Sequence, residues 1–523
     1  MHTKAMADLP PLTVKSLTVG LLILYFVRKL ILSVYRTYTN YRFATAHKCL
    51  PPTKFPSPWL GIPNWWSIIK AARTSEHVAL ICNRYKQYGN TFTGYMFGGT
   101  HIATIEPENI KAILATNFKD WCLGPARFNS FYPLLGPGIF TSDGPAWEHS
   151  RALLRPQFSR DQVSDIESLD IHVNRLMGWI DKSAGKIVDL QPLFFRLTLD
   201  SATEFLLGES VNTLLTEDGG KGADGQMNFG QAFDTAQRYL MIRMRARGLY
   251  WLVYGKEFRA ANKICHDFMD RFVYAALDKR NSMKSELQPE KKKYVFLDSL
   301  VEQNQDVEYL RYQLLHILLA GRDTTASLLG SCFVLLSRHP QVYAKLRTEI
   351  LNSIGDGKDG RIPSFTEIKD ITYLRYVLNE TLRLYPSVPL NGRTSVRNTT
   401  LPKGGGPDGQ SPIFIPKGQR CDYAVRAMHL REDLYGPDAA KFRPERWSEG
   451  VGKGWDYLPF NGGPRICLGQ QYALTEASYT VLRILQKYES IEPADNMPYE
   501  KVPLASSLTT APALATVRLQ KAA

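Results

Sequence analysis

Hydrophobic residues recur at helical spacing along most of the chain, whereas alternating apolar and polar segments are short and few. The spacing predicts helices over 74–88, 145–154, 161–181, 229–239, 256–280, 306–338, 341–354, 366–384 and 468–488. It predicts strands over 90–97, 101–105, 390–396, 411–415 and 514–519. Two Gly/Asp-rich segments, 218–225 and 404–409, are expected to be surface loops. We therefore expect one large, mainly α domain with a small β portion.

The amino-terminal segment 16–35, SLTVGLLILYFVRKLILSVY, is the one long apolar stretch. As a helix it would be about 30 Å long, which matches the hydrocarbon core of a bilayer. Arg28 and Lys29 lie inside it, so a tilted transmembrane anchor would place their charges at the interface. The alternative is a signal peptide, but no small-residue cleavage site follows. The basic residues that follow favour a cytosolic location for the rest of the chain.

Prolines are concentrated directly after this segment, in PPTKFPSPWLGIP. Proline fixes φ and stiffens a spacer. The segment is either an irregular loop or a rigid strut, and its position after an anchor favours the strut. The predicted organisation is a tail over 1–15, an anchor over 16–35, a proline-rich linker over 36–65 and one domain over 66–523.

The composition excludes several classes of protein. Of the 523 residues 44% are hydrophobic, which rules out a disordered chain, a collagen and a coiled coil. Seven cysteines are too few for a disulfide framework and indicate a reducing compartment. The formal net charge of +14 suggests an acidic protein partner or an anionic membrane surface. No basic tract is interleaved with aromatics, so we expect no nucleic-acid binding.

The middle of the longest predicted helix reads LLAGRDTTASLLG, which is unusual for a helix interior. Gly321, Asp323 and Thr324 are poor helix formers, and threonine hydroxyls compete for backbone carbonyls. One interpretation is a packing notch against another helix. The other is that Asp323 and Thr324 are an acid and an alcohol held over a reactive centre to relay protons. The residues alone do not decide between the two.

Near the carboxyl terminus, FNGGPRICLG places Cys467 among three glycines and ahead of an apolar helix. Glycines allow a tight turn and let a flat ligand lie close to the backbone. At a helix amino terminus the N–H groups and the dipole favour a thiolate. Arg465 could pair with an anion, and Phe460 could shield the sulfur from water. A buried structural cysteine is the alternative, but it would need neither the glycines nor the arginine.

This segment resembles the cysteine loop of the cytochromes P-450, Phe-x-x-Gly-x-Arg-x-Cys-x-Gly, at every defined position. The resemblance implies a haem-thiolate fold in which Cys467 is the axial ligand of haem b iron. AGRDTT resembles the oxygen-activation motif of the family, which favours proton relay by Asp323 and Thr324. Residues matching the family's haem-propionate contacts are Trp147, Arg151, Arg393 and Arg465, with Phe460 beside the cofactor.

A structural motif of the family is also matched. Glu380 and Arg383 of ETLR lie three residues apart on one helix face, and with Arg446 of FRPERW they resemble the family's buried Glu–Arg–Arg network. Trp447 departs from the pattern, because phenylalanine is common at that position. The resemblance therefore implies that these residues are structural rather than catalytic.

The residues of these motifs are similar to those of the fungal alkane and fatty-acid hydroxylase branch of the family. That resemblance implies hydroxylation at or near the end of a long lipophilic chain, with O2 and NADPH-derived electrons. Tailoring of secondary metabolites is the alternative; a haem-thiolate isomerase or dehydratase and a non-catalytic haem sensor are more remote. Because the chain ends soon after the last predicted strand, we expect a separate NADPH–cytochrome P-450 reductase, with cytochrome b5 as a further partner. The expected location is the endoplasmic reticulum membrane.

Overall fold

The computed structural model describes residues 14–96, 99–159, 165–217, 227–283 and 294–522. Helices dominate these residues. They are α1 Val14–Ala46, α2 Ile62–Arg73, α3 His77–Tyr88, α4 Pro107–Lys111, α5 Pro125–Leu135, α6 Gly144–Leu154, α7 Ile166–Lys182, α8 Leu190–Leu207, α9 Phe229–Ala246, α10 Lys256–Met283, α11 Phe296–Gln303, α12 Val307–Ser337, α13 Pro340–Ile354, α14 Phe365–Asp370, α15 Thr372–Leu384, α16 Val425–His429, α17 Glu432–Tyr435 and α18 Gln470–Lys487.

The strands are short. They are β1 Thr53–Lys54, β2 Thr91–Met96, β3 Gly99–Thr104, β4 Trp121–Cys122, β5 Val188–Asp189, β6 Leu390–Ser395, β7 Thr399–Gly405, β8 Ser411–Ile415, β9 Arg420–Ala424, β10 Tyr488–Pro493, β11 Leu504–Ser506, β12 Thr510–Pro512 and β13 Thr516–Lys521. The largest sheet has the order β1-β2-β3-β9-β6-β4, a smaller one has the order β10-β13-β5, and β7-β8 and β11-β12 are hairpins. The predicted mainly α fold with a small β portion is confirmed.

The structure differs from the sequence predictions in several places. The helix predicted over 366–384 is two helices, because Ile371 leaves the helical conformation between α14 and α15. Helix α8 was not predicted, since it is buried on most sides and has no polar face to set a period. The predicted loop 404–409 is partly wrong, because Gly404 and Gly405 belong to β7. The predicted loop 218–225 and the start of the helix predicted over 161–181 lie outside the described residues.

Helix α12 crosses the centre of the domain. Its amino terminus is capped by Asp306, whose carboxylate accepts a hydrogen bond from the Tyr309 N–H at 3.2 Å. From Tyr312 to Ser337 its side chains are buried except at Ala320, Gly321 and Thr324. These three positions share one stripe of the helix, so the unusual middle of α12 carries the least buried part of this stretch.

Helix α1 is exposed, and an 18-residue window within Leu17–Ala46 has a mean hydropathy of 2.0. It is long and apolar enough to cross a membrane. It continues well past the predicted anchor, so the first part of the linker predicted over 36–65 is helical. The end of α1 packs against the domain: Arg36 donates to the Lys417 carbonyl at 2.9 Å, and Asn398 donates to Asn40 at 2.9 Å. The prolines that follow lead into β1, which pairs with β2.

Candidate active site

The loop around Cys467 is an exposed turn that precedes α18. The Cys467 N–H donates to the Phe460 carbonyl at 3.0 Å, and the Ile466 N–H donates to the Gly463 carbonyl at 3.0 Å. Gly463 has φ of +66°, and a Cβ built on it would lie 1.9 Å from the Leu114 carbonyl oxygen. Only glycine fits there. The hydrogen bond from the Cys467 N–H shows that Phe460 contacts the cysteine through its backbone carbonyl.

The protein groups around Cys467 do not lower the pKa of its thiol. Desolvation by the surrounding protein raises that pKa to about 11, although the side chain is exposed, and the Gly469 N–H and the Arg151 charge only partly oppose this. The physical reason is position. Helix α18 begins at Gln470, so Cys467 lies before its first turn, where the helix dipole is weak.

The Cys467 side chain faces a cavity of about 660 Å³, whose walls include Trp147, Arg151, Phe158 and Ile466. Trp147 and Arg151 lie one turn apart on α6, and Arg151 donates to the Ile466 carbonyl at 3.0 Å. The Arg465 guanidinium stacks over the Trp147 ring at 4.3 Å. Within the described part of the chain, the structure thus brings four of the predicted residues together: Trp147, Arg151, Arg465 and Cys467.

The remaining arginines converge from other elements. Arg393 on β6 donates to Asn391 at 3.1 Å, and Arg127 on α5 donates to the same side-chain oxygen at 3.5 Å. Burial lowers the pKa of Arg127 to about 9, and Arg393 is the first of the charges that lower it further. Burial and Arg393 likewise lower the pKa of Arg465 to about 10, although Asp143 pairs with Arg465 at 2.8 Å. Such a concentration of cations requires an anionic ligand.

On α12, Thr324 donates its hydroxyl to the Ala320 carbonyl at 2.6 Å, and Ser387 donates to the Thr324 carbonyl at 2.9 Å. The latter contact fixes the middle of α12 next to the segment that leads to Arg393. Burial raises the pKa of the Asp323 carboxyl to about 6, against the opposing charge of Arg322. Asp323 can therefore hold or release a proton near neutral pH. Asp323, Thr324 and Arg393 do not line the cavity described above.

The Glu–Arg–Arg residues form a completely buried network. Arg383 donates two hydrogen bonds to Glu380, at 2.8 and 2.9 Å, and Arg446 donates one at 2.9 Å. The Trp447 indole N–H donates to the second Glu380 oxygen at 3.1 Å. Trp447, a departure from the family pattern, thus adds a donor that phenylalanine lacks.

Two further residues at this site were not predicted from the sequence. Arg127 could hold a carboxylate, but a surface arginine is the commoner case and was favoured. Glu476 on α18 is buried, accepts a hydrogen bond from Ser201, and has its pKa raised to about 8 by burial. The Thr325 hydroxyl opposes that rise, so Glu476 reaches α12 beside Thr324. A glutamate in an amphipathic helix normally lies in solvent, so its sequence position gave no indication.

These residues fit a haem. The Cys467 thiol faces the cavity, and one aromatic and one cationic side chain of α6, Trp147 and Arg151, form part of its wall. Arg127, Arg393 and Arg465 supply partners for carboxylates. Gly463 keeps the loop flat where a side chain would collide with Leu114. Cys467 would hold the iron, and Arg393, Arg465, Arg127 and the α6 pair would hold the propionates.

Comparisons with known proteins identify the family of this chain. A family model described as cytochrome P450 matches residues 56–517. The chain is 48% identical over 459 residues to cytochrome P450 52A12 of Debaryomyces hansenii, covering 86% of this chain and 88% of that relative. It is 46% identical over 466 residues to cytochrome P450 monooxygenase g430 of a Fusarium species, covering 86% and 81%. It is 48% identical over 460 residues to cytochrome P450 52A3-A of Candida maltosa, covering 86% and 87%. The chain therefore belongs to the cytochrome P450 family and is a haem-dependent monooxygenase.

Proposed function

We propose that this enzyme hydroxylates a long-chain fatty acid or alkane at or near the chain end, from an endoplasmic reticulum membrane, with electrons from NADPH–cytochrome P-450 reductase. The observation that supports it most is the Cys467 loop, whose cysteine faces a cavity that Trp147 and Arg151 of α6 also line. An apolar helix long enough to span a bilayer agrees with a lipid substrate.

The protein residues have separate roles in this proposal. Haem b, when bound, supplies dioxygen activation with two electrons from NADPH. Cys467 ligates the iron through sulfur. Asp323 holds a proton in a buried position, and the next residue, Thr324, lies on the less buried stripe of α12. The buried residues around Asp323 exclude water from its carboxyl group.

The partner proposal follows from charge. Family members act on lipophilic substrates and take electrons from a redox partner. Arg151 and Arg155 border the Cys467 cavity, and none of the described residues that line it is acidic. An acidic surface of the reductase, or of cytochrome b5, would complement this opening. The cavity therefore gives a partner access to the cysteine side of the site.

Product analysis tests the proposed function. Membranes containing the full chain and a fungal reductase would be incubated with NADPH and, separately, with fatty acids, alkanes and polyketides. We expect products hydroxylated at or near the chain end from the first two classes. Hydroxylation of polyketides alone would replace the proposal with metabolite tailoring. Turnover without consumption of NADPH would favour an isomerase or dehydratase, and no turnover with any substrate would favour a sensor.

Replacing Thr324 with alanine is expected to leave haem binding intact but to lower product formation about 10- to 100-fold, as electrons are diverted to hydrogen peroxide. The reason is that the hydroxyl on the less buried stripe of α12 is lost while the helix stays packed. Product and peroxide per NADPH would be measured together. The control is Thr348→Ala, which removes the same bond to a carbonyl one turn back, on exposed α13. Unchanged coupling in Thr324→Ala would remove Thr324 from the relay.

Replacing Arg393 with alanine is expected to weaken haem retention about tenfold or more, because a carboxylate inside the protein would lose a charged donor. The rate of haem transfer to apomyoglobin measures this directly. Arg375→Ala, at an exposed position on α15, should match the unmodified enzyme. Full retention by Arg393→Ala would show that other arginines hold the propionates.

A further inference from the structure

The middle of α12 is weak by its own sequence, so it depends on support from outside the helix. Gly321 costs about 1 kcal/mol relative to alanine in a helix interior. Thr324 donates its hydroxyl to the Ala320 carbonyl at 2.6 Å, a kind of bond that slightly destabilises and bends a helix. The direction of the Thr324 side chain therefore depends on what holds this turn in place.

Three hydrogen bonds join this turn to two other segments. Ser387, between α15 and β6, donates its hydroxyl to the Thr324 carbonyl at 2.9 Å. The Thr510 N–H of β12 donates to the Ser387 carbonyl at 2.9 Å. Ser327, three residues after Thr324, donates its hydroxyl to the Thr510 carbonyl. These bonds close a ring through α12, and we call Thr324, Ser327, Ser387 and Thr510 the serine ring.

The serine ring lies in the interior of the domain. Ser327, Ser387 and Thr510 are all buried. In such a place a hydroxyl or carbonyl that loses its partner is not compensated by water. Ser387 and Thr510 each donate one bond of the ring and accept another, and hydrogen bonds connected in this way strengthen each other. Removing one hydroxyl should therefore loosen the whole ring.

The bond from Ser387 adds to the hydrogen bonds of the helix and does not replace one. In a regular helix the carbonyl of residue 324 accepts from the N–H four residues later, and a carbonyl oxygen has two lone pairs. Helix α12 is continuous from Val307 to Ser337, so this pattern is kept. The Ser387 hydroxyl can use the second lone pair and hold the Thr324 backbone from outside.

The hairpin β11–β12 gives the ring a firm support. Ser506 pairs with Thr510 in its register. The Leu504 N–H donates to the Ser75 carbonyl at 3.2 Å, and Arg245 of α9 donates to the Ser506 carbonyl at 3.0 Å. The hairpin is thus held by contacts other than those to α12. Through the serine ring, it can fix the weak turn of that helix.

We propose that Ser387 is a positioning residue for the Thr324 hydroxyl. Its own hydroxyl holds the Thr324 backbone, and the hairpin holds Ser387 through Thr510. This inference rests on the proposed function, in which Thr324 takes part in proton relay, and deepens it. A correctly placed Thr324 hydroxyl directs protons towards product, whereas a displaced one lets electrons leave as hydrogen peroxide. Loss of Ser387 should therefore affect coupling rather than substrate binding.

The test uses the full-length holoenzyme in membranes with reductase, NADPH and palmitate. In Ser387→Ala we expect product per NADPH to fall about threefold, with a matching rise in peroxide, while KM and haem content are retained. Ser387→Thr keeps the hydroxyl and should restore coupling. The second measurement is hydrogen exchange of α12 peptides in the purified holoenzyme without substrate. Amides near Thr324 should exchange about tenfold faster in Ser387→Ala.

Two other serines of α12 complete the test. Ser327→Ala opens the ring on the hairpin side and should lower product per NADPH about twofold. It decides the question if Ser387→Ala loses its haem. Ser337→Ala is the matched control, because Ser337 is buried on the same helix and donates its hydroxyl to the Val334 carbonyl at 3.0 Å. It should match the unmodified enzyme in both measurements.

Full coupling in Ser387→Ala and Ser327→Ala would overturn the proposal, even if exchange in α12 became faster, because the ring would then only stabilise the helix. An equal loss of coupling in Ser387→Thr or in Ser337→Ala would overturn it too. If no form of the enzyme oxidises palmitate or hexadecane, the proposed function fails. Peroxide formed from NADPH without substrate, and exchange in α12, then still decide: equal values in Ser387→Ala and the unmodified enzyme overturn the role of Ser387.

Discussion

Replacing Cys467 with serine is expected to abolish monooxygenase activity, a loss of at least about a thousandfold if sulfur ligation is what makes the site reactive. A serine hydroxyl is not ionised at neutral pH and does not supply a soft anionic ligand. The domain should still fold, because Cys467 faces a cavity and its N–H bond to the Phe460 carbonyl does not involve sulfur. The ferrous-carbonyl spectrum of the purified variant and its rate of product formation measure the effect.

A matched control separates ligation from general thiol chemistry. Cys49, a partly exposed cysteine between α1 and β1, can be changed to serine in the same way. In the described residues its thiol makes one hydrogen bond, a weak one to the His47 carbonyl at 3.8 Å. The Cys49→Ser enzyme should keep both the spectrum and the activity. A thiolate-type spectrum in Cys467→Ser would mean that another residue holds the iron.

The features that could be predicted from sequence depend on local pattern. The residues of the cysteine loop are contiguous in sequence. The motif already specifies glycine at position 463, where a side chain would collide with Leu114. Helix α12 was predicted to within a residue at each end, because Asp306 caps it and a proline follows Ser337 closely. In both cases the residues that carry the prediction lie within a few positions of each other, although the group that excludes a side chain at position 463 is the distant Leu114.

The features that could not be predicted depend on tertiary contacts. Arg127 joins the cations of the site through Asn391, which is 264 positions away along the chain. Glu476 is buried because α8 and α12 pack over it, and the electrostatic state of Cys467 depends on burial that the helix-dipole argument did not include. Periodicity also failed for α8, since a helix buried on most sides has no polar face.

The two ends of the site are mechanically linked. Glu476 lies on α18, the helix that follows Cys467, and it contacts α12 beside Thr324. Ser387 joins the same part of α12 to the segment before β6 and Arg393. The cysteine, the central threonine and a propionate arginine are therefore held by one set of packed elements. The buried Glu380 network holds α15, which leads into that segment.

Replacing Glu380 with alanine is expected to destabilise the folded protein by about 3–5 kcal/mol, since Arg383 and Arg446 would be left as buried, unpaired charges. Both arginines are fully buried. Without Glu380, Arg383 would keep only carbonyl partners, and Arg446 would keep carbonyl partners and the Asp438 carboxylate. Thermal unfolding of the holoenzyme, followed with the loss of the carbonyl spectrum, measures the change. Glu380→Gln should fall between, because the amide keeps the volume but removes the charge that both guanidinium groups require.

Asp267→Ala is the control for the unfolding measurement on Glu380→Ala. Asp267 forms an exposed ion pair with Lys263, one turn away on α10. An exposed pair of this kind contributes at most about 1 kcal/mol, because water and salt screen it. The same charge type is removed in both variants, so the difference in unfolding temperature isolates burial. If the two variants unfolded at the same temperature, the Glu380 network would not stabilise the fold, and the alignment of α15 with β6 would have to depend on the apolar core alone.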